Sequence, residues 1–208
     1  MNPTLLAIIS QLFSMKRELK YVLFIFFGIL ILPFVGIFVL TNIGIPLVST
    51  HLASVNATTH KVEIHDPRTG QIIATIDAAT TWPVSGVVTL EFGESDLPYQ
   101  PFHTGIDIAN PHSQIGDPVT PFMAGKVIYA DEISWGYGKH VIVDNGNNVT
   151  SIYAHLSEID TTLGAQVRPG DVIGKEGMTG WATGPHVHFQ INVFGIPVNP
   201  RTFVTGNP

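Results

Sequence analysis

Twenty consecutive residues without a charge, Tyr21 to Leu40 (YVLFIFFGILILPFVGIFVL), constrain this chain more than any other feature. At the helical rise they reach about 30 Å, the hydrocarbon thickness of a bilayer. Pro33, Gly28 and Gly36 are tolerable within a membrane helix. A buried core helix is one competing fold, but it is rarely apolar on every face over this length. A cleaved signal peptide is another, with Ala53 and Ala57 as small residues downstream; its apolar region spans only about 7–15 residues. The run therefore predicts one uncleaved transmembrane helix over 21–40. Lys16, Arg17 and Lys20 precede it and Lys61 is the next basic residue, so the positive-inside rule puts residues 1–20 in the cytoplasm and the remainder outside. The expected location is the cell membrane, single-pass, with the large domain on the outer side.

Charge and composition narrow what that outer part does. The chain carries a net charge of −6, and residues 21–208 hold 7 basic against 15 acidic side chains. A nucleic-acid partner is thereby disfavoured, because such binding rests on neutralising phosphates. With no cysteine, disulfides, thiolate metal sites and cysteine nucleophiles are excluded. Nine histidines beside ten Lys plus Arg direct attention to metal chemistry.

Residues 41–81 read as a juxtamembrane spacer: an uncharged Thr/Ser/Asn-rich stretch to residue 58, then a hairpin. Its strands are Lys61–His65 and Gln71–Ile76, around the turn Asp66-Pro67-Arg68-Thr69-Gly70. From Trp82 to Pro208 short β-prone runs alternate with Gly, Asn, Asp and Pro. Candidate strands are 87–90, 105–108, 126–129, 140–143, 149–153, 171–174 and 186–193, with a hairpin turn at Asp144-Asn145-Gly146-Asn147 and a loop or helical turn near 157–163. The expected class is mainly β, an antiparallel sheet or small sandwich preceded by the one transmembrane helix.

Within this domain His186-Val187-His188 opens a strand. Residues i and i+2 share a strand face about 6–7 Å apart, which suits two imidazoles converging on one metal or substrate atom. Upstream stand Phe102-His103-Thr104-Gly105-Ile106-Asp107 and Tyr153-Ala154-His155-Leu156. A straight strand separates His103 from Asp107 by about 13 Å, too far for shared ligands, and Gly105 offers the bend that brings them together. Four histidines and one aspartate exceed the three ligands of a catalytic zinc, leaving imidazoles for acid–base work.

Residues 82–205 resemble the lysostaphin-type (LytM-like) peptidoglycan metalloendopeptidases. The matching text is Trp82-Pro83-Val84-Ser85-Gly86, Phe92-Gly93, FHTGIDIA (102–109), AGKVIYA (124–130), GYGKHVIVDNGN (136–147), YAHLS (153–157), VRPGDVIGKEGMTGWATGPHVHFQI (167–191) and Pro197-Val198-Asn199-Pro200. The resemblance implies a duplicated-hybrid-motif fold, a Zn2+ cofactor and a peptidoglycan peptide substrate. It implies zinc ligands at His103, Asp107 and His188, and catalytic roles for His155 and His186, with no order between them. Two histidines and one carboxylate leave zinc's fourth position open, as hydrolysis requires. Glu94-Ser95-Asp96 stands where many relatives carry an Arg, and the segment Asn110–Pro118 is longer than usual. Tyr99 is a candidate oxyanion donor. His51, His112 and His140 have no motif and read as surface or second-layer residues.

Two other functions compete. A catalytically silent wall-binding regulator of another hydrolase would typically lose a metal position, and all five are present. A lipoyl or biotinyl carrier, suggested by the turn-and-strand run 167–174, would need a lysine at a hairpin tip and no histidine set; Lys175, just after that run, has no such evident placement.

Overall fold

The computed structural model describes residues 17–79, 81–95 and 102–208. They fall into two compact units, divided between Leu40 and Thr41.

The first unit is helix α1, Arg17–Val39. Its stretch Leu19–Val39 is long and apolar enough to cross a bilayer, and none of it is buried within the protein. Phe24 and Phe34 are 79% and 69% exposed. Apolar side chains on every face leave the helix no soluble core to join, so α1 is a candidate membrane span.

The second unit begins within a wide helical turn, Leu40–Gly44, and continues into helix α2, Ile45–Leu52, which takes Pro46 in its first turn where a missing N–H costs nothing. Among the described residues fourteen strands follow: β1 Ala53–Val55, β2 Val62–His65, β3 Ile72–Ile76, β4 Val87–Leu90, β5 Ile106–Ala109, β6 Pro118–Val119, β7 Gly125–Glu132, β8 Lys139–Gly146, β9 Val149–Leu156, β10 Glu158–Ile159, β11 Gln166–Val167, β12 Gly174–Lys175, β13 Val187–Val193 and β14 Ile196–Val198. The main sheet runs β11-β7-β8-β9-β13-β5-β4, with β14 following β5 along one edge of β13. Two small sheets, β1-β2-β3 and β10-β12-β6, complete the domain, and every strand pair is antiparallel.

The predicted hairpin forms from β2 and β3, its turn held by Asp66 Oδ1 accepting from the Arg68 and Thr69 amides. The uncharged stretch before it is more than a tether. Helix α2 packs on β14, and Leu52, Ala53, Val62 and Ile64 join the same core as Ile106, Phe189 and Val198. Burial in that core takes the Leu52 and Val62 side chains out of water, which draws 45–76 onto the sheet.

Three local readings change. The turn expected at 144–147 sits at Asn147-Asn148, both at positive φ as a tight two-residue hairpin turn requires, with Gly146 in a bulge before it. The stretch near 157–163 contributes β10, whose Glu158 pairs with Lys175 of β12 across the strands. Of the expected strand 171–174 only Gly174 lies within a strand, continuing to Lys175, with Ile173 bonded to Val119 and Asp160 just before it; Asp171 instead turns back to accept from the Arg168 amide.

The central strand β13 sorts its residues by face. Val187, Phe189, Ile191 and Val193 point into the core, where Phe189 meets the rings of Trp82, Phe122 and Tyr153 at 6.5, 5.6 and 5.6 Å. His188, Gln190 and Asn192 take the opposite face by the two-residue period.

Candidate metal centre

Three adjacent strands assemble the centre. Across β13 and β5 His188 stands opposite Asp107, and across β13 and β9 it stands opposite Ala154. Asp107 lies between Ile106 and Ile108, both fully buried, so alternation turns its carboxylate to the His188 face.

His103 reaches the same point because β5 starts only at Ile106, leaving residues 102–105 out of strand geometry. Gly105 matters here for a different reason from the expected bend. Its φ lies outside the left-handed region, and a Cβ on it would stand 2.5 Å from the Phe189 carbonyl oxygen and 2.8 Å from His188 Cε1. The residue is glycine so that the chain can pass against β13. A turn at 91–94 brackets His103: the His103 amide donates to the Glu94 carbonyl, and the Gly93 amide donates to the His103 carbonyl.

The outcome is a triangle of ligand-type atoms. His103 Nε2 lies 3.0 Å from Asp107 Oδ1 and 2.9 Å from His188 Nδ1, and His188 Nδ1 lies 2.9 Å from Asp107 Oδ1. Ligands at ordinary zinc distances of about 2.0–2.2 Å on a tetrahedral ion stand about 3.3 Å apart. The three residues therefore fit such an ion, with one coordination position left over.

Outer hydrogen bonds set each tautomer. A carbonyl oxygen only accepts, so His103 carries its proton on Nδ1, which donates to the Glu91 carbonyl at 3.1 Å, and Nε2 offers its lone pair. His188 Nε2 donates to Gln190 Oε1 at 3.2 Å, leaving Nδ1 to face the triangle. The Arg201 guanidinium grips the Glu91 carboxylate, with Nη2 2.6 Å from Oε1, and lies over the Trp82 ring. Burial works against the charge of Asp107, but the adjoining His103 and His188 imidazoles outweigh it and hold its carboxyl well below the usual carboxylate range.

His155 and His186 stand beside the triangle, ring centres 4.7 Å apart. His155 Nδ1 donates to the Thr179 carbonyl at 2.8 Å and His186 Nδ1 to the Gly184 carbonyl at 2.9 Å, so each presents a free Nε2. His186 Nε2 is 3.6 Å from Asp107 Oδ2, while His188 holds Oδ1. Burial first, then the His188 and His186 imidazoles, pushes the His155 imidazole down to about 3, so it is neutral at pH 7.

Regular alternation would turn His155 toward the core with Tyr153. It does not, because β9 carries a bulge: Lys139 and Val141 of β8 pair with Leu156 and Tyr153, leaving one extra residue on β9. His155 takes φ +62°, the left-handed conformation, and its ring swings to the groove. Bulges re-aim side chains in this way beside functional sites.

All five candidate residues therefore meet within one site. Tyr99 lies outside the described residues. His51 and His112 are exposed, and His140 is buried, stacked on Tyr129 at 4.3 Å. Sequence reasoning passed over Gln190, whose Oε1 also accepts from Thr104 Oγ1 at 2.7 Å and Tyr137 Oη at 2.8 Å. The signal was present, since Gln190 is two residues beyond His188 on the same strand face.

The chain matches Peptidase family M23 over residues 101–200. It is 41% identical over 106 residues to the DD-carboxypeptidase/endopeptidase Mpg of Neisseria meningitidis, a match covering 51% of this chain and 24% of that protein. Among solved structures, a mutant catalytic domain of the prophage-encoded M23 protein EnpA from Enterococcus faecalis is 34% identical at a TM-score of 0.53, covering 60% of this chain and 96% of that one. A zinc-containing peptidase from Vibrio cholerae is 27% identical at a TM-score of 0.55, covering 75% of this chain and 47% of that one. The chain thus spans about a quarter of the length of the curated relatives it matches.

Proposed function

The chain belongs to peptidase family M23, and from that premise we propose that it is a membrane-anchored zinc metalloendopeptidase that hydrolyses peptide bonds in the stems or cross-links of peptidoglycan. The observation that carries the reading is the triangle of His103 Nε2, Asp107 Oδ1 and His188 Nδ1, with edges of 2.9–3.0 Å, beside two further imidazoles with free Nε2 atoms. In this reading His103, Asp107 and His188 hold Zn2+. When bound there, zinc supplies Lewis acidity, acidifying water and polarising a carbonyl.

The protein's own groups handle protons and position. A neutral imidazole with a free Nε2 accepts the proton of the attacking water, and as imidazolium it returns one to the leaving amine. His155 and His186 share this work. Their Nδ1 atoms are locked on backbone carbonyls, so neither ring turns away between the two transfers. Asp107 Oδ2 lies 3.6 Å from His186 Nε2, so that ring stands directly beside the ligand set. A silent regulator has no need of this fully furnished set.

The anchor α1 and the acidic outer domain suit a substrate on the outer side of the membrane, with the N-terminal basic residues retained inside. Residues 21–40 serve as the anchor, 41–81 join it to the sheet, and 82–208 carry the chemistry.

The test uses the full chain in detergent, loaded with zinc and presented with purified cell walls. His188→Ala is expected to lose bound zinc and wall solubilisation together, whereas His155→Ala and His186→Ala keep zinc and lose turnover. Full activity of His188→Ala without metal would sink the mechanism. An emptied site in either of the other variants would overturn the division between ligands and proton carriers.

A further inference from the structure

We propose that Asn110 and Asp117, on the long segment between β5 and β6, form with Glu176, just past β12, an oxygen-lined site for a calcium ion. None of these residues belongs to the His103, Asp107 and His188 triangle. The proposal stands whether or not the chain is a peptidase, because it is read from binding and melting rather than turnover.

Glu176 is the residue that points to a ligand. It follows β12 directly and is 0% exposed. Its Oε1 accepts from the Asn110 amide at 3.0 Å, which turns the carboxyl toward the 110–117 segment. Its Oε2 is buried as well and has no hydrogen-bond partner, the one such side-chain atom among the described residues. Backbone bonds hold it there. The Glu176 amide donates to the Asp117 carbonyl at 2.8 Å, and the Glu176 carbonyl accepts from the Gly116 amide at 2.9 Å and from Ser157 Oγ at 2.8 Å. A residue fastened on both sides cannot carry its carboxyl out to water, and buried polar atoms left unmet are rare.

The facing segment brings a second carboxylate. Asn110 bridges the two acids, its backbone amide on Glu176 and its Nδ2 donating to Asp117 Oδ2. That bond engages only one of the Asp117 oxygens. Burial, joined by the Asp117 charge, holds the Glu176 carboxyl above its ordinary value against the pull of the Asn110 amide. Among the described residues no lysine, arginine or histidine forms an ion pair with either acid.

Two like charges without a cationic partner are relieved by a proton or by a cation, and the geometry separates the two. A proton would sit on Oε2, since Oε1 already accepts, and the resulting O–H would find no acceptor. A buried donor left in that state is itself destabilising. A cation meets the Oε2 lone pair and the charge of both acids together. Carboxylate and amide oxygens select a hard ion over zinc. Calcium accepts about six to eight oxygens in flexible geometry, including the carbonyls that a loop such as 110–117 offers. Magnesium gives up its waters reluctantly, which ligation by a fully buried carboxylate demands.

The experiment uses the full chain in detergent, freed of metals on a chelating resin and reloaded with stoichiometric zinc. Calcium chloride is titrated in by calorimetry, and the melting temperature is followed with calcium or magnesium present. A single calcium ion per chain is expected, with a Kd of about 10⁻⁴–10⁻³ M as in outer-side modules. At a tenfold excess over Kd the melting temperature should rise by about 3–6 °C. Asp117→Asn and Glu176→Gln should each weaken calcium binding about tenfold or more, while Glu132→Gln, an exposed acid on β7, leaves it unchanged. Zinc content should stay constant in all three variants. Asp117 is only half-buried, so its variant carries the test even if Glu176→Gln fails to fold. Calcium binding that survives both substitutions, or that Glu132→Gln also removes, overturns the site. Magnesium acting as strongly as calcium overturns the choice of ion. No response to either ion makes Glu176 a buried neutral acid and overturns the proposal outright.

Discussion

Gln190 Oε1 receives three donors, from His188, Thr104 and Tyr137, while its Nε2 donates to Asn192 Oδ1 at 2.7 Å. Such partners fix the ring of a metal-holding histidine, and removing one typically weakens metal binding about 10–100-fold. Gln190→Leu is therefore expected to weaken zinc binding by that factor without emptying the protein of structure, as read by competition with a chelator of known affinity. An unchanged affinity would show that the strand alone orients His188. His155 makes a separate prediction through pH. Its imidazole is held at about 3 in the folded protein against an ordinary 6.5, so between these values the unfolded chain binds a proton that the folded chain refuses. The stability gained by keeping it neutral is complete above about pH 6.5 and is lost as pH falls toward 3. The melting temperature of the zinc-free protein should drop on acidification from pH 7 to pH 4. His155→Asn, neutral and tolerant of the left-handed backbone, should flatten part of that slope. An identical slope in the variant would assign the acid sensitivity to other groups.

At the scale of elements, the centre depends on β5, β13 and β9 lying side by side in one register. The His186-Val187-His188 spacing was legible because strand alternation is a local property of the backbone. The partnership of His103 with Asp107 was legible as a pair of residue types, but its geometry was not. Straight-strand arithmetic separates them, and only the late start of β5 brings Nε2 and Oδ1 to 3.0 Å. The bulge at His155 was also hidden, since an extra residue appears only when β9 is laid against β8. Gly105 gives the element-scale test. Gly105→Ala should force β13 and the 102–105 segment apart, costing about 1–3 kcal/mol as other overpacked sites do, and should lower zinc affinity with it. Denaturant melts and zinc titration of the same protein check both, and a fully stable variant with intact zinc binding would refute the close-approach argument.

For the whole molecule, the candidate span α1 carries an expectation that the β domain does not. Full-length protein should stay with membranes after an alkaline wash, and removing residues 17–39 should release it; retention of the shortened chain would dismiss α1 as the anchor. Where the soluble part begins is set by packing. Leu52 is 1% exposed and Ala53 6%, and β1 covers Val62 and Ile64. A fragment of residues 45–208 should therefore melt higher than one of residues 58–208, which strips a buried leucine worth about 1.5–3 kcal/mol together with its strand. Equal melting temperatures would return 45–57 to the status of a tether. The sequence by itself determined the candidate span, the β class and the five residue types of the site. Hydropathy, alternation and motif spacing are properties of neighbours along a chain, and a single string carries them. Only the tertiary structure decided that 45–76 belongs to the core, that His155 faces the groove, and that Gln190 and the Glu91 carbonyl hold the imidazoles. Each of those depends on which distant backbone lies alongside, and that is settled when the strands pair.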